Sequence, residues 1–204
     1  MPKTGQKRQN TFLRRKQIID ALRKLIIRHG SEHVTVRRLA HEVGITEGAI
    51  YRHFKSKKEV LLFLVDYIEE SLIGDIEKSQ AGENQLDFLE NILHNHLSSN
   101  EQRKGISFLV IAEIISLGDK KLNQKIYETL TKYISHLTRI ISDGKKNGTI
   151  REDINAEMAA TVFFGMIQGL ITRWALSNYE FTLEEKTAHI WNIFREALKG
   201  RPLS

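Results

Sequence analysis

Hydrophobic residues recur every three or four positions along most of this chain, with polar residues between them. Such spacing places apolar side chains on one face of an α-helix, whereas a half-buried strand would alternate strictly, and no convincing alternation is present. The two prolines, Pro2 and Pro202, lie at the extremes, so none interrupts a long helix. The pattern therefore predicts an all-α protein. The longer predicted helices cover about residues 13–29, 86–99, 105–117, 122–143, 156–176 and 183–198, and the one at 105–117 is expected to be nearly enclosed.

The stretch 35–61 predicts two short helices joined by a tight turn. In the first, apolar residues recur at helical spacing until Gly44 interrupts them, and Thr46 then occupies the position of a helix N-cap. In the second, Ile50 and Phe54 share one face. The opposite face carries small or polar residues, namely Glu47, Gly48, Tyr51 and Lys55. A buried face that positions an exposed one is typical of a helix-turn-helix whose second helix enters the major groove of DNA.

An ordinary pair of amphipathic helices would show the same spacing, so the charge distribution has to separate the two interpretations. Residues 1–60 contain fifteen Lys or Arg and five Asp or Glu, a net charge of +10, whereas residues 61–204 contain sixteen and twenty, a net charge of −4. Phosphate neutralisation supplies most of the non-specific affinity of DNA-binding proteins, so a basic excess is expected on the module that contacts DNA. The asymmetry favours DNA binding by the first 60 residues.

The same stretch resembles the DNA-binding domain of the TetR family of bacterial transcription regulators. The resemblance covers about residues 13–61 and rests on Leu39-Ala40, Gly44-Ile45-Thr46, Ile50-Tyr51-Arg52-His53-Phe54 and the lysine-rich turn that follows. It implies an N-terminal three-helix helix-turn-helix domain followed by a larger helical ligand-binding and dimerisation domain. It also implies contacts with double-stranded DNA from Thr35, Arg37, Arg38, Thr46, Glu47, Gly48, Ala49, Tyr51, His53 and Lys57, to which the exposed-face pattern adds Lys55. Glu47 departs from the family pattern, because this position often carries a neutral residue.

Elementary chemistry explains why these residue types suit a DNA surface. Thr46 and the free N–H groups of the first helical turn form a start that accepts a phosphate, and Gly48 allows a close backbone approach. Tyr51 and His53 can donate to phosphate oxygens, although His53 would equally suit a partly buried position. Glu47 either accepts a hydrogen bond from a cytosine amino group or interacts favourably with its own helix N-terminus.

An almost continuous apolar run, residues 60–65, follows a capping-box pattern formed by Ser56 and Glu59. A helix that is apolar on most sides must be buried between two bodies, so this segment is predicted to connect the DNA module to the remainder. The predicted organisation is a flexible basic arm at 1–12, a DNA-binding domain at 13–58 and a regulatory and dimerisation domain at 59–204. The arm either reaches the DNA or stays in solvent.

The last two predicted helices have the pattern of a subunit interface. The helix at 156–176 is apolar around most of its circumference, which is more than one chain of this size is expected to enclose. Two glycines on it leave a flat strip where another helix can approach. The candidate interface residues are Gly165, Gly169, Ile190, Trp191 and Phe194. The TetR resemblance implies the same homodimer, whose two-fold axis requires a roughly palindromic DNA site.

The TetR resemblance further implies a ligand cavity among the helices between about residues 60 and 175. The candidate lining residues are Phe108, Ile111, Tyr127, Met158, Phe163, Met166 and Trp174. Each would serve equally as packed core, so the sequence leaves their role open. Their aromatic and methionine content suggests a small apolar or amphipathic effector. Two functions follow: a ligand-responsive regulator, most simply a repressor that the effector releases from its operator, or a dimeric architectural or constitutive regulator without a ligand.

Several other classes of function are not predicted. Absence of cysteine excludes disulfides and thiolate catalysis, and no phosphate-binding glycine loop, HExxH motif or nucleophile elbow indicates an enzyme, a cofactor or a metal site. His94 and His96 lie about 200° apart around a helix and cannot share a metal, so His96 is predicted to be a hydrogen-bonded core residue. No secretory signal is evident, and the longest uncharged run, fifteen residues, is shorter than a membrane span. A cytoplasmic protein without membrane association is expected.

Overall fold

The computed structural model describes residues 35–199 except 53, 55, 80 and 81, together with residues 13, 14, 17–22, 24, 25 and 28. Throughout this part of the chain the regular structure is helical, which confirms the all-α class. The helical residues between 13 and 28 make up α1. The following helices are α2 (Val36–Val43), α3 (Glu47–Tyr51), α4 (Lys57–Glu77), α5 (Gln85–Gln102), α6 (Ile106–Leu117), α7 (Lys120–Lys146), α8 (Ala156–Leu176) and α9 (Leu183–Lys199).

The chain divides into two compact units. Unit 1 comprises Met1–Asp66 and Leu109–Asn123, and unit 2 comprises Tyr67–Phe108 and Gln124–Ser204. Residues 109–123 are therefore grouped with the N-terminal helices, although they are distant from them in sequence. This grouping depends on contacts between segments that are remote in sequence. Hydrophobic periodicity along the chain therefore does not reveal it.

The core of unit 1 is formed by apolar residues on α1 to α4 and in the connection between α3 and α4. Its buried members include Ile18, Leu22, Leu25, Leu39, Ala40, Ile50, Phe54, Val60, Leu61, Leu64 and Val65. The ring of Phe54 also meets that of Phe63 edge-on, with centroids 5.5 Å apart. Burial of each large apolar side chain contributes about 1.5–3 kcal/mol, so this core holds α2 and α3 in a defined orientation.

The prediction that α6 is nearly enclosed is wrong for its C-terminal half. Val110 and Ile114 are buried, but Ile115 and Leu117 are 65% and 48% exposed. The apolar residues of α6 extend around the helix, whereas its neighbours cover only one side of this half.

Unit 2 is a helical bundle in which α5 and α8 both pack against α9. Its enclosed aromatic residues are Tyr133, Phe163, Trp174, Trp191 and Phe194. Among the described helices, α8 is long and apolar enough to cross a membrane, with a mean hydropathy of 1.3. Six of its residues are buried within the protein, whereas Met158, Val162 and Leu176 are exposed apolar residues on the same helix.

Candidate DNA interface

A capped helix and a glycine turn set the direction of the chain into α3. The hydroxyl of Thr35 accepts a hydrogen bond from the backbone N–H of Arg38 at 3.2 Å and so caps the start of α2. Gly44 ends α2 with a φ of 72°, a left-handed conformation that suits glycine. The N–H of Ile45 then donates to the carbonyl of Ala40 at 2.9 Å, which satisfies one of the terminal carbonyls of α2.

α3 is anchored on one face and exposed on the other. The hydroxyl of Thr46 accepts a hydrogen bond at 3.2 Å from the backbone N–H three residues on, as predicted for the N-cap. Ile50 is fully buried, whereas the next residue, Tyr51, is 49% exposed. Thr46, Glu47 and Gly48 are exposed as well. A Cβ added to Gly48 would meet no atom closer than 4.0 Å, so the backbone here is open to an approaching surface.

Other candidate DNA contacts flank this exposed face in sequence. Thr35, Arg37 and Arg38 at the start of α2 are exposed, and Ala49 is half-buried. Arg52, which is not among the predicted contacts, is exposed directly after α3. A cationic side chain within a basic stretch could have predicted a phosphate contact here, because guanidinium groups readily bind phosphates. The predicted contacts His53 and Lys55 and the side chain of Lys57 lie outside the described residues.

The ammonium group of Lys58 has a partner within unit 1. Lys58 Nζ donates to Oδ2 of Asp119 at 2.6 Å. The backbone N–H groups of Lys121 and Leu122 donate to the other carboxylate oxygen, so Asp119 also caps the start of α7. The hydrogen bond from Lys58 is the largest cause that lowers the pKa of Asp119. The charge of Lys58 is therefore balanced by Asp119, which makes Lys58 a weak candidate for a phosphate contact.

The candidate ligand residues do not share one environment. Phe163 and Trp174 are enclosed in unit 2, whereas Tyr127 and Met158 are 67% and 53% exposed on α7 and α8. The half-buried members are Phe108, Ile111 and Met166, of which Ile111 belongs to unit 1. Helical periodicity identifies apolar residues, but it cannot tell which of them face the core and which face solvent.

The candidate interface residues also divide into two groups. Gly165 and Gly169 are exposed, and a Cβ added to either would meet nothing within 4 Å. Trp191 and Phe194, however, are only 1% and 5% exposed and belong to the core of unit 2. A large apolar residue that α9 presents to solvent is instead Ile193, which is 75% exposed. Ile190 is half-buried. The sequence pattern located the apolar face of α9 but assigned it to a subunit interface. In the structure this face packs inward, because α5 and α8 cover it.

His96 is a core residue, as predicted. It is 2% exposed, and its Nδ1 lies 3.1 Å from the hydroxyl of Tyr133. Burial is the main cause that lowers the pKa of His96 to about 4, with a smaller effect from Arg103. Burial also raises the pKa of Tyr133, and the nearby charge of Asp75 adds to this effect. At neutral pH the imidazole is therefore neutral and the phenol protonated, and the tautomer of the ring sets which of the two donates the hydrogen bond.

Comparison with known protein families identifies both parts of this architecture. Residues 18–63 match the family model described as "Bacterial regulatory proteins, tetR family", and residues 59–197 match the one described as "YsiA-like protein, C-terminal region". This chain belongs to the TetR family. As a TetR-family protein it is a DNA-binding transcription regulator with a helix-turn-helix.

Individual relatives are similar along most of the chain. The nucleoid occlusion factor SlmA of Photobacterium profundum is 24% identical over 196 residues, which cover 95% of this chain and 98% of that protein. The fatty acid metabolism regulator protein of Bacillus subtilis is 26% identical over 171 residues, 82% of this chain and 86% of that protein. The crystal structure of the regulator FadR from Bacillus subtilis in complex with stearoyl-CoA has the same fold, with a TM-score of 0.76 and 24% identity over 90% of this chain and 98% of that one.

Proposed function

We propose that this TetR-family regulator is a repressor that binds a two-fold symmetric operator as a homodimer, and that an amphipathic acyl effector releases it. The observation that carries the DNA-binding part is the division of α3 into a buried Ile50 and an exposed face with Tyr51. In a helix-turn-helix, such a face lies in the major groove, with its N-terminal residues toward the base edges.

Specific residues would then have distinct roles at the operator. Glu47 and Gly48 at the start of α3 would lie nearest to the base edges, and Tyr51 would donate to a phosphate. Arg37 and Arg52 would supply charge-assisted contacts to the DNA backbone. The proposed DNA-binding set also includes Thr35, Arg38, Thr46, Ala49, His53, Lys55 and Lys57.

The proposed dimer rests on an apolar stripe along α8. Met158, Val162 and Leu176 are 53%, 57% and 81% exposed, and the two exposed glycines lie between them along the same side. Ile193 of α9 adds a further exposed apolar side chain. Contiguous apolar surface on a regulator of this size is typical of a subunit interface. A two-fold dimer would place two recognition helices about 34 Å apart on one side of the DNA.

The class of effector is supported by the relatives and by the composition of unit 2. One relative is named as a fatty acid metabolism regulator, and a regulator of the same fold was solved with stearoyl-CoA. Unit 2 of this chain is rich in apolar side chains, which suit a long acyl chain. Release requires that the effector bind the DNA-incompetent conformation more tightly, with a coupling free energy of typically about 1–3 kcal/mol. The protein would act in the cytoplasm, where its DNA and an acyl thioester are both present.

The decisive experiment selects bound sequences from random duplex DNA with the purified full chain. Recovery of a palindrome with half-sites about one helical turn apart supports the dimeric operator. Stearoyl-CoA is then added to the complex formed on that palindrome, and fluorescence anisotropy of the labelled DNA measures release. Loss of DNA binding supports an effector-controlled repressor. Unchanged DNA binding over the whole range of stearoyl-CoA concentrations would instead support a constitutive regulator.

A further inference from the structure

A shallow basic groove runs along the exposed side of α7. Its volume is about 250 Å³, and it is lined by Thr131, Lys132, Ser135, His136 and Arg139. Three of these side chains carry nitrogen donors and two carry hydroxyl groups, and the described lining includes no carboxylate. Both kinds of donor bind phosphate oxygens, and a planar guanidinium does so in a bidentate manner.

An ion-pair network adjoins one end of this groove. Glu69 of α4 accepts hydrogen bonds from Lys132 Nζ at 2.6 Å and from the hydroxyl of Thr129 at 3.0 Å, and Lys125 Nζ lies 4.0 Å from the same carboxylate. The hydrogen bond from Lys132 is the largest cause that lowers the pKa of Glu69, so this carboxylate is ionised at neutral pH. One negative charge thus faces two lysines.

Arg139 adds a further cation at the other end of the groove. Its Nη2 lies 3.2 Å from Nδ1 of His136, and this contact uses one of the five N–H donors of the guanidinium. The arginine is exposed, so its remaining donors can reach a ligand in the groove. Contact with His136 also restrains the side chain, which reduces the entropy lost on binding.

A second groove adjoins the basic one and has a different chemical character. Its volume is about 420 Å³, and it shares Thr131 and Ser135 with the first. Tyr127, Thr138 and Thr161 contribute hydroxyl groups, whereas Glu157 contributes a negative charge. A carboxylate disfavours phosphate in this second groove, but hydroxyl groups suit a neutral amide-containing segment. The two grooves together therefore match a molecule with an anionic end and a neutral polar section next to it.

We propose that the basic groove of α7 binds the phosphorylated headgroup of an acyl thioester effector, and that Arg139 is its main anion contact. This inference rests on the proposed function, because it assigns a place on unit 2 to the polar end of the same effector. It distinguishes a phosphorylated thioester from the corresponding free fatty acid, since a fatty acid has no phosphate to occupy the groove.

Isothermal titration of the full-length protein with stearoyl-CoA and with stearate tests this assignment. Arg139→Gln removes the guanidinium, and Arg139→Lys keeps the charge. Lys146→Gln is the control, because Lys146 is an exposed lysine on the same helix that pairs with Asp143. Since charged hydrogen bonds are strong, Arg139→Gln should weaken stearoyl-CoA binding roughly tenfold and leave stearate binding unchanged. Arg139→Lys should bind stearoyl-CoA with an intermediate affinity, and Lys146→Gln should bind it with the affinity of the parent protein. Thermal unfolding verifies that each variant is folded.

The other outcomes separate this inference from the proposed function. If the parent protein binds stearoyl-CoA and Arg139→Gln binds it equally well, the headgroup lies elsewhere and only the assignment of the groove is wrong. An equal loss for stearate and stearoyl-CoA would also overturn it, because the arginine would then act on the acyl part or on the fold. If the parent protein binds neither compound, the acyl effector itself is wrong, and the groove loses its proposed ligand with it. Competition by inorganic phosphate as strong as that by coenzyme A would indicate a simple phosphate site and overturn the headgroup assignment.

Discussion

The hydroxyl of Tyr133 lies 3.1 Å from Nδ1 of His96, and both side chains are buried in unit 2. Burial favours the neutral form of this imidazole, because a protonated His96 would be removed from solvent and would lie near the positive charge of Arg103. Stability of the protein is therefore linked to pH through this residue.

The free energy of unfolding should decrease as the pH falls from about 6.5 to about 4. The unfolded chain takes up a proton on His96 near pH 6.5, whereas burial holds the pKa in the folded protein at about 4, so protons favour the unfolded state in this window by up to roughly 3 kcal/mol. Burial raises the pKa of Asp75. Protonation of this carboxyl group therefore favours the folded state, which opposes the effect of His96 within the titration range of Asp75. Urea titrations at several pH values should show a weaker pH dependence for His96→Asn. His94→Asn, at an exposed histidine, serves as the control and should keep the slope of the parent protein.

The pair formed by Lys58 and Asp119 should stabilise unit 1 in two separable ways. Asp119→Ala removes both the ion pair and the N-cap of α7, whereas Asp119→Asn retains an acceptor for the backbone N–H groups. Melting temperatures should therefore fall most for Asp119→Ala, and by smaller and similar amounts for Asp119→Asn and Lys58→Met. Equal melting temperatures for Asp119→Ala and Lys58→Met would show that the cap contributes nothing.

Tyr51 should contribute to operator binding through its hydroxyl group and its ring. The side chain is 49% exposed, so Tyr51→Ala should leave the fold intact and weaken binding by more than about 1 kcal/mol. Tyr51→Phe isolates the hydroxyl group and should cost part of that amount. Fluorescence anisotropy with the selected operator measures both. Parent-like affinity of Tyr51→Ala would remove this residue from the interface.

Substitution by alanine at two glycines of the DNA module should affect two different properties, stability at Gly44 and DNA affinity at Gly48. Gly44 has a φ of 72°, so Gly44→Ala should lower the free energy of unfolding by about 1 kcal/mol because an L side chain strains this conformation. A Cβ at Gly48 meets no atom closer than 4.0 Å, so Gly48→Ala should keep the stability but place a methyl group between α3 and the DNA. Denaturant titration and operator affinity together distinguish these effects. A loss of stability in Gly48→Ala without a loss of affinity would contradict the proposed close approach.

Adjacent residues of α9 should separate folding from dimerisation. Phe194 is 5% exposed, and Phe194→Ala should destabilise the protein by roughly 3–5 kcal/mol through the cavity that it leaves. Ile193 is 75% exposed, and Ile193→Glu should leave the fold intact but place a charge in the proposed interface. Sedimentation equilibrium should show weaker self-association for Ile193→Glu. An unchanged dimer in this variant would move the interface away from that side of α9.

The sequence alone determined the helical class, the two capped helices and the anchored face of α3. These features depend on local chemistry: apolar spacing selects the face, and a hydroxyl group at Thr35 or Thr46 satisfies a nearby backbone N–H. Burial of His96 was also predicted, because the apolar face of an amphipathic helix packs into the core and carries its histidine with it.

Only the tertiary structure decided which apolar residues remain at the surface. Trp191 and Ile193 lie on the same amphipathic helix, yet one is enclosed and the other is 75% exposed, because α5 and α8 cover one side of α9. The pairing of Asp119 with Lys58 likewise depends on segments that meet only when the chain folds. A helical period fixes the relative angle of side chains around one axis, but the neighbours of that axis are set by the packing of the whole unit.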